Sequence, residues 1–123
     1  MKKMLVVDDE IEICEFLKLF FQERDFDVRT AYSGEEALKI TEKMKPDIIL
    51  LDIHMPGMDG IATLKAVKQK HPDIKVIMVT ALETNEKIEE AVRLGADNYI
   101  TKPLSLEYLE KEVQEKISNL SRK

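Results

Sequence analysis

Carboxylates follow two short apolar segments of the sequence. Residues 4–7 (MLVV) run into the three acids of residues 8–10 (DDE), and residues 48–51 (IILL) run into Asp52. If both segments are parallel strands of one sheet, their carboxyl ends open into a single crevice, where ligands bind in such sheets. Acids packed together in a crevice repel one another, and a hard cation neutralises them. The spacing therefore predicts a Mg²⁺-type site with an aspartate in reach of a phosphoryl group.

Two more polar side chains follow apolar segments further along the chain. Residues 76–79 (VIMV) lead into Thr80, and residues 98–101 (NYIT) lead into Lys102. A hydroxyl and a mobile ammonium both suit the oxygens of a phosphoryl group. Taken singly, a threonine after a strand is usually a turn residue, and an aspartate before a helix is often an N-cap. Together, carboxylates, a hydroxyl and an ammonium at the same sheet edge predict one phosphoryl-binding site.

The elements that must position these residues alternate along the chain. Ser33 and Ser105 are predicted N-caps of two helices. Five apolar runs separated by five helical stretches predict a doubly wound α/β fold, a five-stranded parallel sheet with helices on both faces. Its 123 residues are enough for one domain, 1–123. The predicted strands are 4–7, 27–32, 48–51, 76–79 and 98–101, and the predicted helices are 10–23, 34–44, 60–70, 85–94 and 105–120.

The last predicted helix carries apolar residues at a spacing of three to four. Such a stripe is expected to pack on the sheet while the charged face meets solvent. The predicted stripe is Leu106, Leu109, Val113, Ile117 and Leu120.

Composition narrows the possible environments and partners. A formal charge of −5 argues against direct binding of nucleic acid, because phosphate backbones are held by clustered Lys and Arg. Cys14 is the single cysteine and forms no internal disulfide, so we expect it to pack as a small apolar residue in a reducing compartment. The apolar run after the N-terminal lysines is shorter than the ~7–15 residues of a signal peptide. No segment approaches the ~20 apolar residues of a membrane span. We expect a cytoplasmic protein without membrane insertion.

Four motifs resemble the receiver domain of two-component response regulators, and the resemblance covers essentially the whole chain. They are 7–10 (VDDE), 51–60 (LDIHMPGMDG), 79–81 (VTA) and 99–103 (YITKP). Single-domain phosphorelay and chemotaxis-type receivers are similar, and so are the receivers of multidomain transcription factors. The resemblance implies a flavodoxin-like sheet with strand order 2-1-3-4-5, a cis peptide bond before Pro103, and a phosphorylation-dependent signalling switch.

The resemblance also implies roles for the acids. Asp52 would accept a phosphoryl group from a phosphohistidine on a sensor histidine kinase or a phosphotransfer protein. Mg²⁺, for which Mn²⁺ could substitute, would be held by Asp9, Asp52 and the backbone carbonyl of His54, with Asp8 acting through a bound water. The chain would assist both its own phosphorylation and its own dephosphorylation, which would be slow, without being an enzyme in the usual sense. The side chains of His54 and Leu82 would lie at the rim of the site, where they would modulate hydrolysis of the acyl phosphate.

The hydroxyl and the ammonium have implied roles in binding and in signalling. Thr80 and Lys102 would bind phosphoryl oxygens as charge develops on them. Thr80 and Tyr99 would then form a switch, because an aromatic ring with a polar tip can lie outward or be buried against Thr80. This switch would change the surface of helix four, strand five and helix five for a downstream output protein or domain. The protein is expected to be a monomer or a weak dimer.

The first helix has more apolar residues than one core face requires. Ile13 belongs to the inward face, whereas Phe16 and Leu19 fall near the polar boundary. Together with Pro103, these three residues are candidates for docking of the kinase helix that carries the phosphohistidine. Ordinary partial exposure is the alternative explanation.

Two other classes of protein share parts of this pattern. A hydrolase of the haloacid-dehalogenase type also uses a strand-terminal Asp and Mg²⁺, but it requires a second Asp where this chain has His54. A flavodoxin-like flavin binder would need a phosphate-cradling loop after strand one, and the acids of residues 8–10 would repel the phosphate. Turnover of a small phosphoester, or a yellow chromophore, would favour one of these alternatives.

Overall fold

Strands and helices alternate strictly along the chain. A computed structural model describes residues 2–81 and 85–121. The strands are β1 (Lys2–Val7), β2 (Phe26–Ala31), β3 (Ile48–Asp52), β4 (Lys75–Thr80) and β5 (Asn98–Thr101). The first four helices are α1 (Ile11–Gln22), α2 (Gly34–Met44), α3 (Gly60–Lys70) and α4 (Asn85–Arg93). The fifth, α5, consists of α-helical Leu106–Tyr108, a π-helical turn Leu109–Val113 and α-helical Gln114–Ser121.

All strand pairs are parallel, and the order across the sheet is β2-β1-β3-β4-β5. This confirms the predicted fold class and strand order. Val7 of β1 lies beside Ala31 of β2 and Leu51 of β3, and Thr80 of β4 lies beside Thr101 of β5. This register brings the carboxyl ends of the strands to one edge of the sheet.

Alternate residues of β1, β3 and β4 belong to two separate cores. Met4 and Val6 pack with apolar side chains of α1 and α5, whereas Leu5 and Val7 pack with those of α2, α3 and α4. The helices therefore cover both faces of the sheet, and strands buried on both faces explain the continuous apolar runs. Cys14 is fully buried in the first core, as expected, and burial followed by the nearby Asp8 carboxylate raises the pKa of its thiol to about 12.

Hydroxyl and carboxylate caps mark three helix starts. Both predicted caps are confirmed: the side chain of Ser33 accepts from the N–H of Glu36, and that of Ser105 accepts from the N–H of Tyr108. Asp59 caps α3 in the same way by accepting from the N–H of Ala62 at 2.8 Å. These bonds satisfy N–H groups that have no partner within the helix.

The first residue of α3, Gly60, has no room for a side chain. A Cβ atom on Gly60 would clash with the carbonyl oxygen of Asp52 and would lie 2.7 Å from the Cα of Ile53. Gly60 is therefore required for the close approach of α3 to the end of β3. Gly57, in the loop before α3, has φ of +73°, a backbone conformation that glycine adopts without strain. The loop holds α3 tightly against the strand that carries Asp52.

The stripe predicted for the last helix was wrong at its first position. Leu109, Val113 and Ile117 are buried, but Leu106 is 53% exposed. Tyr108 packs against the core instead, and its hydroxyl accepts from the N–H of Thr101 at 3.1 Å. The π turn, in which the N–H of Gln114 bonds to the carbonyl of Leu109, departs from the regular helix that the spacing assumed.

Candidate functional site

Three carboxylates converge at the carboxyl edge of the sheet. Asp52 is the last residue of β3, and Asp8 directly follows β1. One oxygen from each of Asp8, Asp9 and Asp52 lies within 4.8 Å of the other two. Asp8 and Asp52 are buried, whereas Asp9 is exposed. The crevice predicted from the two strand ends therefore brings together Asp8, Asp9 and Asp52.

Backbone amides fix one oxygen of each buried carboxylate. Oδ1 of Asp8 accepts from the N–H of Glu10 at 2.9 Å, and Oδ1 of Asp52 accepts from the N–H of His54 at 3.3 Å. Their Oδ2 atoms face a common cation, the ammonium of Lys102. The main chain thus orients both carboxylates into the crevice.

Lys102 reaches into the acids from the end of β5. Its Nζ lies 3.3 Å from Oδ2 of Asp8, 3.7 Å from Oδ2 of Asp52 and 3.4 Å from Oε1 of Glu10. The Lys102–Pro103 peptide bond is cis, as the resemblance implied. The ammonium is partly shielded, with its side chain 25% exposed. One cation is therefore shared by two buried carboxylates and one exposed carboxylate.

The pKa values of these groups reflect crowding in a shielded crevice. Burial, followed by repulsion from Asp8, raises the pKa of Asp52 to about 6, although Lys102 opposes the rise. Burial also raises the pKa of Asp8 against the hydrogen bond from Glu10 and the charge of Lys102. Burial lowers the pKa of Lys102, but Asp52 and Asp8 outweigh it, so the pKa of the ammonium is raised. The acids therefore have a strong electrostatic demand for positive charge.

The chemistry of the acidic donors fits a hard divalent cation. Carboxylate oxygens are the ligands that Mg²⁺ prefers, and it binds through one or two carboxylates while keeping several waters. The exposed Asp9 leaves one side of the crevice open to solvent. Lys102 supplies only one positive charge among these three carboxylates. A divalent cation would supply the positive charge that they still lack.

Thr80 and Tyr99 occupy neighbouring strands at the same edge. Thr80 is fully buried at the end of β4, and its hydroxyl donates to the carbonyl of Ala81 at 2.9 Å. Tyr99 of β5 is 41% exposed, and the ammonium of Lys116 lies 5.4 Å from the centroid of its ring. The structure therefore holds Tyr99 in the outward arrangement, with Thr80 buried on the adjacent strand.

Three of the four predicted docking residues line one groove beside the acids. Ile13, Phe16 and Pro103 contribute to a surface groove that also includes Leu104. Leu19 is 63% exposed but is not among the residues that line this groove. The charged side chains that line it are Glu10, Glu12 and Lys102. The groove thus joins an apolar surface directly to the ammonium of the acidic site.

One of the two residues predicted to lie at the rim of the crevice is among the described residues. The side chain of His54 is exposed. The group of His54 that donates to Asp52 is its backbone N–H and not its imidazole ring. Leu82, the other predicted rim residue, lies outside the described residues. The sequence pattern placed Glu10 among the acids after the first strand but did not predict the contact of its carboxylate with Lys102. The signal available in the sequence was a third acid directly after the aspartate pair.

No helix within residues 2–81 and 85–121 combines the length and the apolar character needed to cross a bilayer.

Comparison with known proteins agrees with this geometry. Residues 4–114 match the family model described as "Response regulator receiver domain". The alkaline phosphatase synthesis transcriptional regulatory protein PhoP of Bacillus subtilis is 43% identical over 104 residues, which cover 85% of this chain and 43% of that protein. The chain spans less than half the length of this curated relative.

Solved structures have the same fold over nearly the whole chain. The chemotaxis protein CheY4 of Vibrio cholerae has a TM-score of 0.86 and 34% identity, covering 94% of this chain and 98% of that one. A CheY-like response regulator receiver domain protein from Methanospirillum hungatei has a TM-score of 0.89 and 30% identity, covering 99% and 98%. The acidic crevice, the lysine after β5 and these matches agree, and the chain belongs to the response regulator receiver domain family.

Proposed function

We propose that this receiver domain is a phosphorylation-dependent switch that accepts a phosphoryl group on Asp52 from a phosphohistidine of a sensor kinase or phosphotransfer protein. The observation that carries the proposal is the position of Asp52. Its carboxylate lies buried at a strand end, among two further acids and within 3.7 Å of the Lys102 ammonium. A nucleophile placed between a cation-binding cluster and a fixed ammonium suits phosphoryl transfer.

In the proposed reaction, an oxygen of Asp52 attacks phosphorus as the P–N bond of the phosphohistidine breaks and imidazole departs. Lys102 binds the oxygens on which charge develops, and the Thr80 hydroxyl turns toward them from the end of β4. The N–H of His54 holds the other oxygen of Asp52 in place during attack. The product is an acyl phosphate, which the same site hydrolyses slowly, with the exposed His54 at the rim.

Asp9, Asp52 and the carbonyl of His54 would hold Mg²⁺ or Mn²⁺, with Asp8 acting through a water. The bound ion would neutralise the crowded carboxylates and polarise the phosphoryl oxygens. The electrostatic demand described for Asp8 and Asp52 supports this assignment, because both pKa values are raised.

Signal output is proposed to follow from the outward Tyr99. When the Thr80 hydroxyl is drawn to the phosphoryl group, space near β4 opens and the ring of Tyr99 turns inward. The surface of α4, β5 and α5 then changes for an output protein or domain. The kinase helix is proposed to dock on Ile13, Phe16 and Pro103, which share the groove beside Lys102. Leu19, which is exposed on α1 outside this groove, is proposed to extend the docking surface. We propose that the switch acts in the cytoplasm as a monomer or weak dimer, without direct contact to nucleic acid.

Substitution of the acceptor tests the proposal. In the presence of Mg²⁺ and a small phosphodonor such as acetyl phosphate, wild type should gain an acid-labile, hydroxylamine-sensitive label that Asp52→Asn lacks. Asp27→Asn, on β2 and away from the crevice, is the matched control and should label like wild type. Undiminished labelling of Asp52→Asn would place the acceptor elsewhere.

A further inference from the structure

Glu10 makes a contact that the proposed mechanism does not use. Its carboxylate is 62% exposed, yet Oε1 lies 3.4 Å from the Nζ of Lys102. Lys102 has three N–H donors, and three carboxylates surround them at 3.3 to 3.7 Å. A phosphoryl group on Asp52 must take over one of these donors.

The three carboxylates around Lys102 are not equivalent. Asp8 and Asp52 are buried and each is fixed by a backbone amide. Glu10 instead approaches from the outer side, where it lines the apolar groove together with Lys102 and Pro103. Its hold on the ammonium is therefore directed away from the position that a phosphoryl group on Asp52 would occupy.

The side chain of Glu10 does not cap α1, so capping does not compete with its contact to Lys102. It occupies the N-cap position, but its side chain makes no capping hydrogen bond. Asp, Asn, Ser and Thr are the residues whose short side chains cap helices well. The longer glutamate reaches past the helix end to Lys102 instead.

From these contacts we propose that Glu10 is a positioning residue that restrains Lys102 in the resting protein and slows phosphoryl acceptance by Asp52. The inference rests on the proposed function, because it concerns the ammonium of that same site. Contacts between partly exposed charges are weak, so the expected effect on the rate is about two- to five-fold.

Three variants separate the effect of the Glu10–Lys102 contact from the effect of negative charge alone. Glu10→Gln removes the carboxylate and should label Asp52 about two- to five-fold faster with acetyl phosphate and Mg²⁺. Glu10→Asp keeps the charge, but its shorter side chain should cap α1 and leave Lys102, so it should accelerate labelling like Glu10→Gln. Glu15→Gln removes an exposed charge from α1 without touching Lys102 and should leave the rate unchanged.

The outcomes distinguish the possible failures. Equal or slower labelling of Glu10→Gln would overturn the inference. A wild-type rate in Glu10→Asp, or an equal gain in Glu15→Gln, would overturn it as well, because the effect would then be general charge repulsion of the donor. Thermal melting provides a separate readout: Glu10→Asp should melt higher than Glu10→Gln although both accelerate labelling. Absence of any label on wild-type Asp52 would instead contradict the proposed function.

Discussion

Lys116 of α5 holds Tyr99 of β5 by two contacts. Its ammonium donates to the Tyr99 carbonyl at 2.8 Å and lies 5.4 Å from the centroid of the Tyr99 ring. The carbonyl contact can persist when the side chain of Tyr99 rotates, but the ring contact cannot. Lys116 therefore favours the outward position of the ring over an inward one.

Removal of this ammonium should shift the proposed switch. A cation–π contact at an exposed site is worth about 0.5–1 kcal/mol, so Lys116→Met should raise the ratio of inward to outward Tyr99 by about two- to five-fold. NMR signals of the Tyr99 ring, measured without phosphodonor, report this ratio. Lys111→Met is the matched control on the same helix, because Lys111 is exposed and pairs with Glu107 instead. Identical Tyr99 signals in Lys116→Met and wild type would contradict the prediction.

Repulsion among the acids should be visible in thermal stability. In EDTA at neutral pH, Asp52→Asn should melt several degrees above wild type, because each close pair of like charges costs on the order of 1–3 kcal/mol. The melting temperature of Asp8→Asn should rise less, because this variant also loses the shortest of the three ion pairs of Lys102.

Millimolar Mg²⁺ should narrow this gap by stabilising wild type more than either variant. Differential scanning calorimetry measures both effects, and Glu89→Gln, an exposed acid on α4, serves as the control. Equal melting temperatures in EDTA, or an equal Mg²⁺ shift in Asp52→Asn and wild type, would mean that the acids do not share a metal site.

The raised pKa of Asp52 predicts how stability depends on pH. Between its ordinary value of 3.8 and about 6, folded Asp52 retains a proton that the unfolded chain releases. Without metal, the contribution of Asp52 to stability should therefore fall as pH rises from about 4 to about 7, by on the order of 2–3 kcal/mol.

Urea unfolding of wild type and Asp52→Asn across this range isolates the contribution of Asp52 as the difference between the two curves. The free energy of unfolding of Asp52→Asn should increase relative to that of wild type as pH rises. Mg²⁺ affinity of wild type, followed by titration, should fall on the acidic side of about pH 6, because protons compete for the same carboxylate. A difference between the two proteins that does not change with pH would contradict the prediction.

Thr80 should couple phosphorylation to the distal surface. Thr80→Ala should still accept phosphate on Asp52, although more slowly, while losing the spectral or exchange change around Tyr99. Amide hydrogen exchange of β5 before and after phosphorylation measures the coupling. Thr30→Ala removes a hydroxyl from β2, at the other side of the sheet, and should retain the full response. A full response in Thr80→Ala would refute the coupling.

The sequence predicted those parts of the site that depend on chain topology. Parallel strands bring every residue after a strand to one edge, so Asp8, Asp52, Thr80 and Lys102 could be located from apolar runs alone. The strand order 2-1-3-4-5 was implied by the family resemblance instead. The capping serines could be found because their chemistry is local, involving an amide three residues away.

Features that depend on side-chain reach or on irregular backbone escaped prediction. The contact between Glu10 and Lys102 joins residues 92 positions apart through two flexible side chains, and neither position signals the other. The exposed Leu106 was assigned to the core because a regular spacing was assumed. The first turn of α5 is instead oriented by Tyr108, whose side chain packs against the core and whose hydroxyl accepts from the N–H of Thr101 in β5.

The contacts of β5 with the side chains around it also bear on association between molecules. β5 is an edge strand, and its unpaired backbone groups could otherwise recruit a strand from another chain. Asn98 accepts from the N–H of Tyr99, Lys116 donates to the Tyr99 carbonyl, and Tyr108 accepts from the N–H of Thr101. These side chains occupy three of the hydrogen bonds that an added strand would need. The surface that is proposed to change on signalling can therefore be recognised through side chains, while the side chains bonded along its strand edge disfavour β-type aggregation.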